Sequence, residues 1–126
     1  MAYAQITIDV EIEGFENNKG QVLCALVTEA KDFLQPSAKP TDEQIVLIKD
    51  KQAKCQLKLV NEGTYAVSVV HDLDANQKVK MDAFGIALEP WGVSNNAPAS
   101  SFGPPGFEQA KVDSRVTKKL RIKLNH

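Results

Sequence analysis

The chain is short of most residues that recognisable chemistries require. It has two cysteines and two histidines in 126 residues, and one histidine is the last residue. A Cys/His zinc site therefore lacks ligands within the body of the fold. An excess of either charge is missing too. Fifteen Lys and Arg stand against 16 Asp and Glu, so no global field steers the protein to nucleic acid or an anionic membrane surface. No apolar run approaches the ~18 residues that a membrane-spanning helix needs. Sustained helical periodicity is also lacking, and no helix of two turns is expected.

What is present is alternation. Ile6, Ile8, Val10 and Ile12 share one face of Gln5 to Glu13 and Thr7, Asp9, Glu11 and Glu13 the other, the pattern of a half-buried strand. Gln21 to Thr28 is apolar on both faces, which suits a strand covered on two sides. Glu29 to Leu34 has room for one helical turn before Pro36, and Glu43 to Ile48 reads as a weak strand. In Ala53 to Val60, Cys55, Leu57 and Leu59 oppose Lys54, Gln56 and Lys58. Thr64 to His71 places Tyr65, Val67, Val69 and His71 together. Glu108 to Val112 reads as a short strand. In Arg115 to Leu124, Val116, Leu120, Ile122 and Leu124 form the apolar face, broken by Lys118. Turn residues separate these runs at the spacing of a sandwich. The expected fold is all-β: an antiparallel sandwich of about seven strands, one domain over residues 5–125, with one long ordered loop.

That loop, 71–107, holds four of the seven glycines, four of the six prolines and four of the eight aromatic residues. Long loops in compact domains are mostly functional or disordered, and its aromatic content argues for order. Its candidate ligand-binding residues are His71, Phe84, Trp91, Asn95, Asn96 and Phe102. The rings of Phe84, Trp91 and Phe102 form either a platform for a sugar or apolar ligand or the loop's own small core. Asp72, Asp74 and Asn76 stand at positions 1, 3 and 5 of a calcium-loop spacing, with Asp82 as a later acidic ligand. The glycine and glutamate that complete an EF-hand are replaced by Gln77 and Ala83, so an Asx-rich turn is the competing reading. Catalysis by His71 would need a nucleophile. Ser94, Ser100 and Ser101 lack a nucleophile-elbow pattern, and the acids nearby have no fixed separation for glycoside hydrolysis.

Three local features carry further expectations. Tyr65, just after the Asn61-Glu62-Gly63 turn, suits either a tyrosine corner bonded to upstream backbone or a plain cross-strand aromatic. Cys24 and Cys55 lie on apolar strand faces, as two inert core thiols or as a disulfide tying the sheets together. Ala2-Tyr3-Ala4 matches the small-residue pattern of a signal-peptidase site. Residues 1–4 are then a processing remnant or an expression start, and the protein is periplasmic or extracellular.

The segments Lys19-Gly20-Gln21-Val22, Asp32-Phe33-Leu34, Gly63-Thr64-Tyr65-Ala66-Val67, His71-Asp72, Gly92-Val93-Ser94-Asn95-Asn96-Ala97 and Phe102-Gly103-Pro104-Pro105-Gly106-Phe107 resemble the bacterial DUF2141 family. The resemblance runs along nearly the whole chain from Gln5. It implies a small exported β-sandwich, prealbumin-like or immunoglobulin-like, and brings no assigned function. The family's HD-x-N-x-N-G-K-L-D loop suggests metal binding. This chain keeps His71, Asp72 and Asn76, has Asp74 for the middle ligand, and departs at Gln77 and Lys80. The functional expectation is a non-enzymatic binding or accessory module of the bacterial cell envelope. A small molecule, a glycan or an envelope protein would be recognised through 71–107. The alternatives are a calcium-stabilised structural domain, and a hydrolase using His71 with a carboxylate.

Overall fold

A computed structural model describes residues 5–34, 39–73, 75, 89–99 and 105–125. Among them are eight strands in two layers: β1 (Ile6–Glu13), β2 (Gln21–Val27), β3 (Asp42–Val46), β4 (Ala53–Leu59), β5 (Thr64–Asp72), β6 (Trp91–Val93), β7 (Val112–Asp113) and β8 (Lys119–Lys123). One layer has the order β4-β1-β8. The other is β3-β2-β5-β6, with β7 also paired to β5. The all-β sandwich is as expected. One pairing is not antiparallel: β1 and β8 run parallel, Val10 opposite Leu120 and Ile12 opposite Ile122.

Period-2 alternation places the core. Ile8, Val10 and Ile12 from β1, Leu57 and Leu59 from β4, and Ile122 from β8 meet Val22, Leu26, Tyr65, Val67 and Val69 from the opposite sheet. Within this core Cys24 of β2 and Cys55 of β4 form a disulfide, their Cα atoms 6.7 Å apart. It crosses between the layers. A cross-link closing 31 residues stabilises a fold by about 3–4 kcal/mol, chiefly by restricting the unfolded chain.

Part of the outer face of the five-stranded sheet is buried as well. There Val27, Ala66 and Val93 meet Phe33, Ala97 and Ala110 in a second, smaller apolar cluster. The cover is made of single turns. One is a 3-10 turn at Ala30–Asp32, as the sequence suggests, and another is α1 (Phe107–Ala110). Phe33 and Phe107 meet edge to face, with ring centres 6.0 Å apart. Here the expected strand at Glu108 to Val112 is corrected. The first part is helical because the Gln109 side chain accepts the Gly106 N–H and Ala110 is drawn into the cluster, leaving Val112–Asp113 for β7.

Two further expectations are overturned at the C-terminal end. Val116 is 83% exposed, not core-facing. Asp113 turns the chain instead, its carbonyl accepting the N–H groups of Val116 and Thr117, so the strand begins only at Lys119. Buried Ser114 fixes that turn to the neighbouring one, donating to Glu62 Oε2 at 2.8 Å and accepting from Gly63 N at 2.9 Å. Tyr65 makes no upstream corner. Its hydroxyl donates to the Thr117 carbonyl, 52 residues later, at 2.8 Å.

Burial pushes the Tyr65 phenol up from 10.0 to about 12. The neutral form is the one the fold accommodates, so its contribution is complete below about pH 10 and is lost as pH rises through about 12. Urea unfolding followed against pH should show stability flat to about pH 10 and then falling. In Tyr65→Phe that alkaline fall should largely vanish, while stability at pH 7 drops by about 1–2 kcal/mol for the carbonyl left unpaired.

Candidate functional site

The segment that opens at His71 starts at the end of β5, and its described residues resume at Glu89, just ahead of β6. Its first foot is a clasp made by the Lys19-Gly20-Gln21 turn. His71 is 1% exposed. Its Nε2 lies 2.5 Å from the Lys19 carbonyl, which only accepts, so Nε2 carries the proton. The ring stands edge-on to Phe15, with centroids 5.1 Å apart. The neighbouring Gln21 side-chain amide donates to Asp72 Oδ2 at 3.1 Å, and Asp72 is fully buried. Between them Gly20 has φ +72, and a Cβ there would collide with the Asp72 carbonyl oxygen and the Leu73 backbone. Returning, Pro90 accepts the His71 N–H at 2.8 Å and the buried Glu89 carboxylate accepts the Leu73 N–H at 2.8 Å.

The second foot is β6 and the 3-10 turn at Ser94–Asn96. Trp91 exchanges two backbone hydrogen bonds with Asn125, at 2.6 and 3.1 Å, so the end of the chain closes this corner of the sandwich. Gly92 faces inward. A Cβ there would press into Ile122 Cγ2, so only glycine lets β6 come this close to β8. Ser94, fully buried, accepts from Val67 N at 3.0 Å and donates to the Ala110 carbonyl at 2.6 Å. Asn95 and Asn96 sit at φ +65 and +49, a left-handed pair that asparagine tolerates better than most residues. Asn95 Nδ2 donates to the Gln109 and Lys111 carbonyls. The Asn96 amide spans Arg121 O and Lys123 N.

The sequence-predicted site residues thus separate into two groups. His71 and Asp72 lie together at the first foot, and Trp91, Asn95 and Asn96 at the second. Phe84, Phe102, Asp74, Asn76 and Asp82 lie outside the described residues. The side-chain amides of Asn95 and Asn96 are engaged with backbone, a framework role. Gln21, Gly20 and Glu89 complete the first foot. Lys19-Gly20-Gln21 was visible as a motif, but its contact with residues some 50 positions later leaves no periodic signal. Trp91 is half-buried on the outer face, in register with Val70, which faces Leu23, which faces Ile45. These four residues form one apolar row across the sheet.

As a metal centre the described residues are incomplete. Asp72 and Glu89 bring two carboxylates to the first foot, but no group of three potential ligands forms among the described residues. As a hydrolytic centre, His71 faces a carbonyl and a phenyl ring, and Ser94 is committed elsewhere.

The clasp and the Ser94-Asn95-Asn96 turn contain three of the segments that carry the family resemblance: Lys19-Gly20-Gln21-Val22, His71-Asp72 and Gly92-Val93-Ser94-Asn95-Asn96-Ala97. A family profile, described as uncharacterized protein conserved in bacteria, matches residues 10–122. This chain belongs to the DUF2141 family. No curated protein and no solved structure matches it. For this DUF2141 chain, no helix among the described residues is long and apolar enough to cross a membrane.

Gly20→Ala tests the clasp. The left-handed φ and the backbone collision should together cost about 2 kcal/mol or more, read as a lowered urea midpoint. An unchanged midpoint would mean that the turn and β5 do not meet as described.

Proposed function

We propose that this protein is a non-enzymatic binding or accessory module of the bacterial cell envelope, recognising a small molecule, a glycan or an envelope protein through residues 71–107. The observation that carries the reading is that both feet of this segment are fixed to the sandwich by polar side chains, those of His71, Asp72, Glu89 and Ser94 buried and those of Asn95 and Asn96 exposed. His71, Asp72 and Glu89 hold one foot; Ser94, Asn95 and Asn96 hold the other. A rigid scaffold presenting a long connecting segment is the usual arrangement for recognition. The groups that elsewhere do acid–base or nucleophilic chemistry serve here as fixings, which favours binding over catalysis. The inter-sheet disulfide supports export, since such bonds persist in oxidising compartments. Trp91 and its apolar row supply described surface of the kind that stacks on sugars or apolar ligands.

One observation favours a second reading, a calcium-stabilised domain. Asp72, fully buried at the end of β5, heads the Asp72-Leu73-Asp74-Ala75-Asn76 run, whose oxygen-bearing side chains at positions 1, 3 and 5 have the spacing that turns three ligands onto one hard cation.

One set of measurements separates the two. The purified protein and a variant with residues 77–88 replaced by a Gly-Ser linker are screened on a glycan array and against envelope extracts by crosslinking. Melting is followed with and without millimolar calcium. The proposal expects the variant to melt cooperatively yet lose the binding of the parent. Ligands retained equally by both would contradict it. If calcium raises the melting temperature by several degrees, as about 2.7 kcal/mol at a hundredfold excess over Kd would, and Asp72→Ala abolishes the rise, the calcium reading takes over. No rise retires it.

A further inference from the structure

The three-stranded sheet has two edges, β4 and β8, and side chains lent by other segments lie against both. The register shows which backbone groups point outward. Asp9 gives its N–H toward β8, to the Lys118 carbonyl at 2.9 Å. Its pairing with Gln56, and that of Thr7 with Lys58, are therefore the non-hydrogen-bonded kind, and the N–H groups of Gln56 and Lys58 point off the sheet. They meet acceptors from β3: Gln44 Oε1 at 2.7 Å and Asp42 Oδ2 at 2.7 Å. The two-residue spacing matches on both strands.

At the other edge, in a parallel pair, Arg121 and Lys123 likewise turn their backbone groups outward. Asn96 fits between them. Its Nδ2 donates to Arg121 O at 3.2 Å and its Oδ1 accepts from Lys123 N at 2.9 Å. One side-chain amide thus makes the pair of bonds that a residue of a neighbouring strand would make.

All of these contacts are at exposed positions. Water would satisfy the same groups at little cost, so stability alone does not account for three polar side chains spent this way. What they do that water cannot is occupy the edge. Unpaired edges are templates for strand addition. We infer that Asp42, Gln44 and Asn96 are edge plugs that keep the three-stranded sheet from accepting an extended strand of alternating apolar and acidic residues.

The chemistry of that strand follows from the outer face. β4 presents Lys54 and Lys58, and β8 presents Lys119, Arg121 and Lys123. The strand both already pair with is β1, whose Asp9, Glu11 and Glu13 lie beside these cations. Glu11 pairs with Lys54 at 3.8 Å and with Arg121 at 3.3 Å. A strand patterned like β1 is complementary to either edge, whereas a second β4 or β8 would set lysine against lysine.

The probe is a fluorescent peptide of residues 5–13, titrated against folded protein by anisotropy. The Asp42→Ala/Gln44→Ala variant should bind it at least about tenfold more tightly than the parent, and Asn96→Ala should do so independently at the β8 edge. Asp42→Asn loses the charge but keeps an acceptor, and should bind like the parent. In the double variant the amide exchange of Gln56 and Lys58 should speed up while core amides of β1 do not. Equal peptide binding by parent and alanine variants would overturn the inference. So would Asp42→Asn binding as tightly as Asp42→Ala/Gln44→Ala, since charge rather than occupancy would then be the cause.

Discussion

A chain that leaves a β-sandwich and returns must partner every polar group that packing buries at the two points of departure, because an unpartnered buried group costs on the order of 1–3 kcal/mol. The rest of this structure depends on how that is met. At one foot the imidazole of His71, the carboxylates of Asp72 and Glu89 and the amide of Gln21 are buried or half-buried within hydrogen-bonding reach of the Lys19-Gly20-Gln21 turn and the Leu73 backbone. At the other, Ser94 joins β5 to α1. The segment between them is held at its ends by the same sheet that forms the core.

The sandwich is in turn closed at both of its lateral corners, by different means. At one corner β3 lends Asp42 and Gln44 to the edge of β4. At the other Asn125 bridges to Trp91, with Gly92 permitting the close approach to Ile122. Between the corners the Cys24–Cys55 disulfide ties the layers through the core. The layers, the corners and the two feet are thus tied into one unit. Groups presented on that unit are held in place before any contact is made, the arrangement that lowers the entropic cost of binding.

How much of this the sequence disclosed follows from what alternation can encode. Strands with one buried face, such as Ile6–Glu13 and Ala53–Leu59, announce themselves in every second residue. Trp91–Val93 is too short to carry a period, and its strand character comes from Ser68, Val69 and Val70 opposite. Val116 reads as part of an apolar face, but Asp113 and Ser114 claim the preceding residues for a turn. Tyr65 was legible as a buried aromatic with a hydroxyl to satisfy, though not its partner, because Thr117 lies 52 residues away. The site residues divide along the same line. His71 and Asp72 stand out by residue type, whereas Gln21 and Glu89 acquire a role only from the register that brings them alongside.

The most direct measurement of the central claim is native-state hydrogen exchange at the two feet. The amides of His71, Leu73, Val67 and Trp91 are bonded to Pro90, Glu89, Ser94 and Asn125. If these fixings belong to the sandwich, those amides exchange only through global unfolding, with the same free energy and denaturant dependence as core amides of β1 and β5. Exchange of Leu73 and Trp91 through a low-energy local opening, while the core stays protected, would contradict the account and make the feet part of the segment rather than of the scaffold.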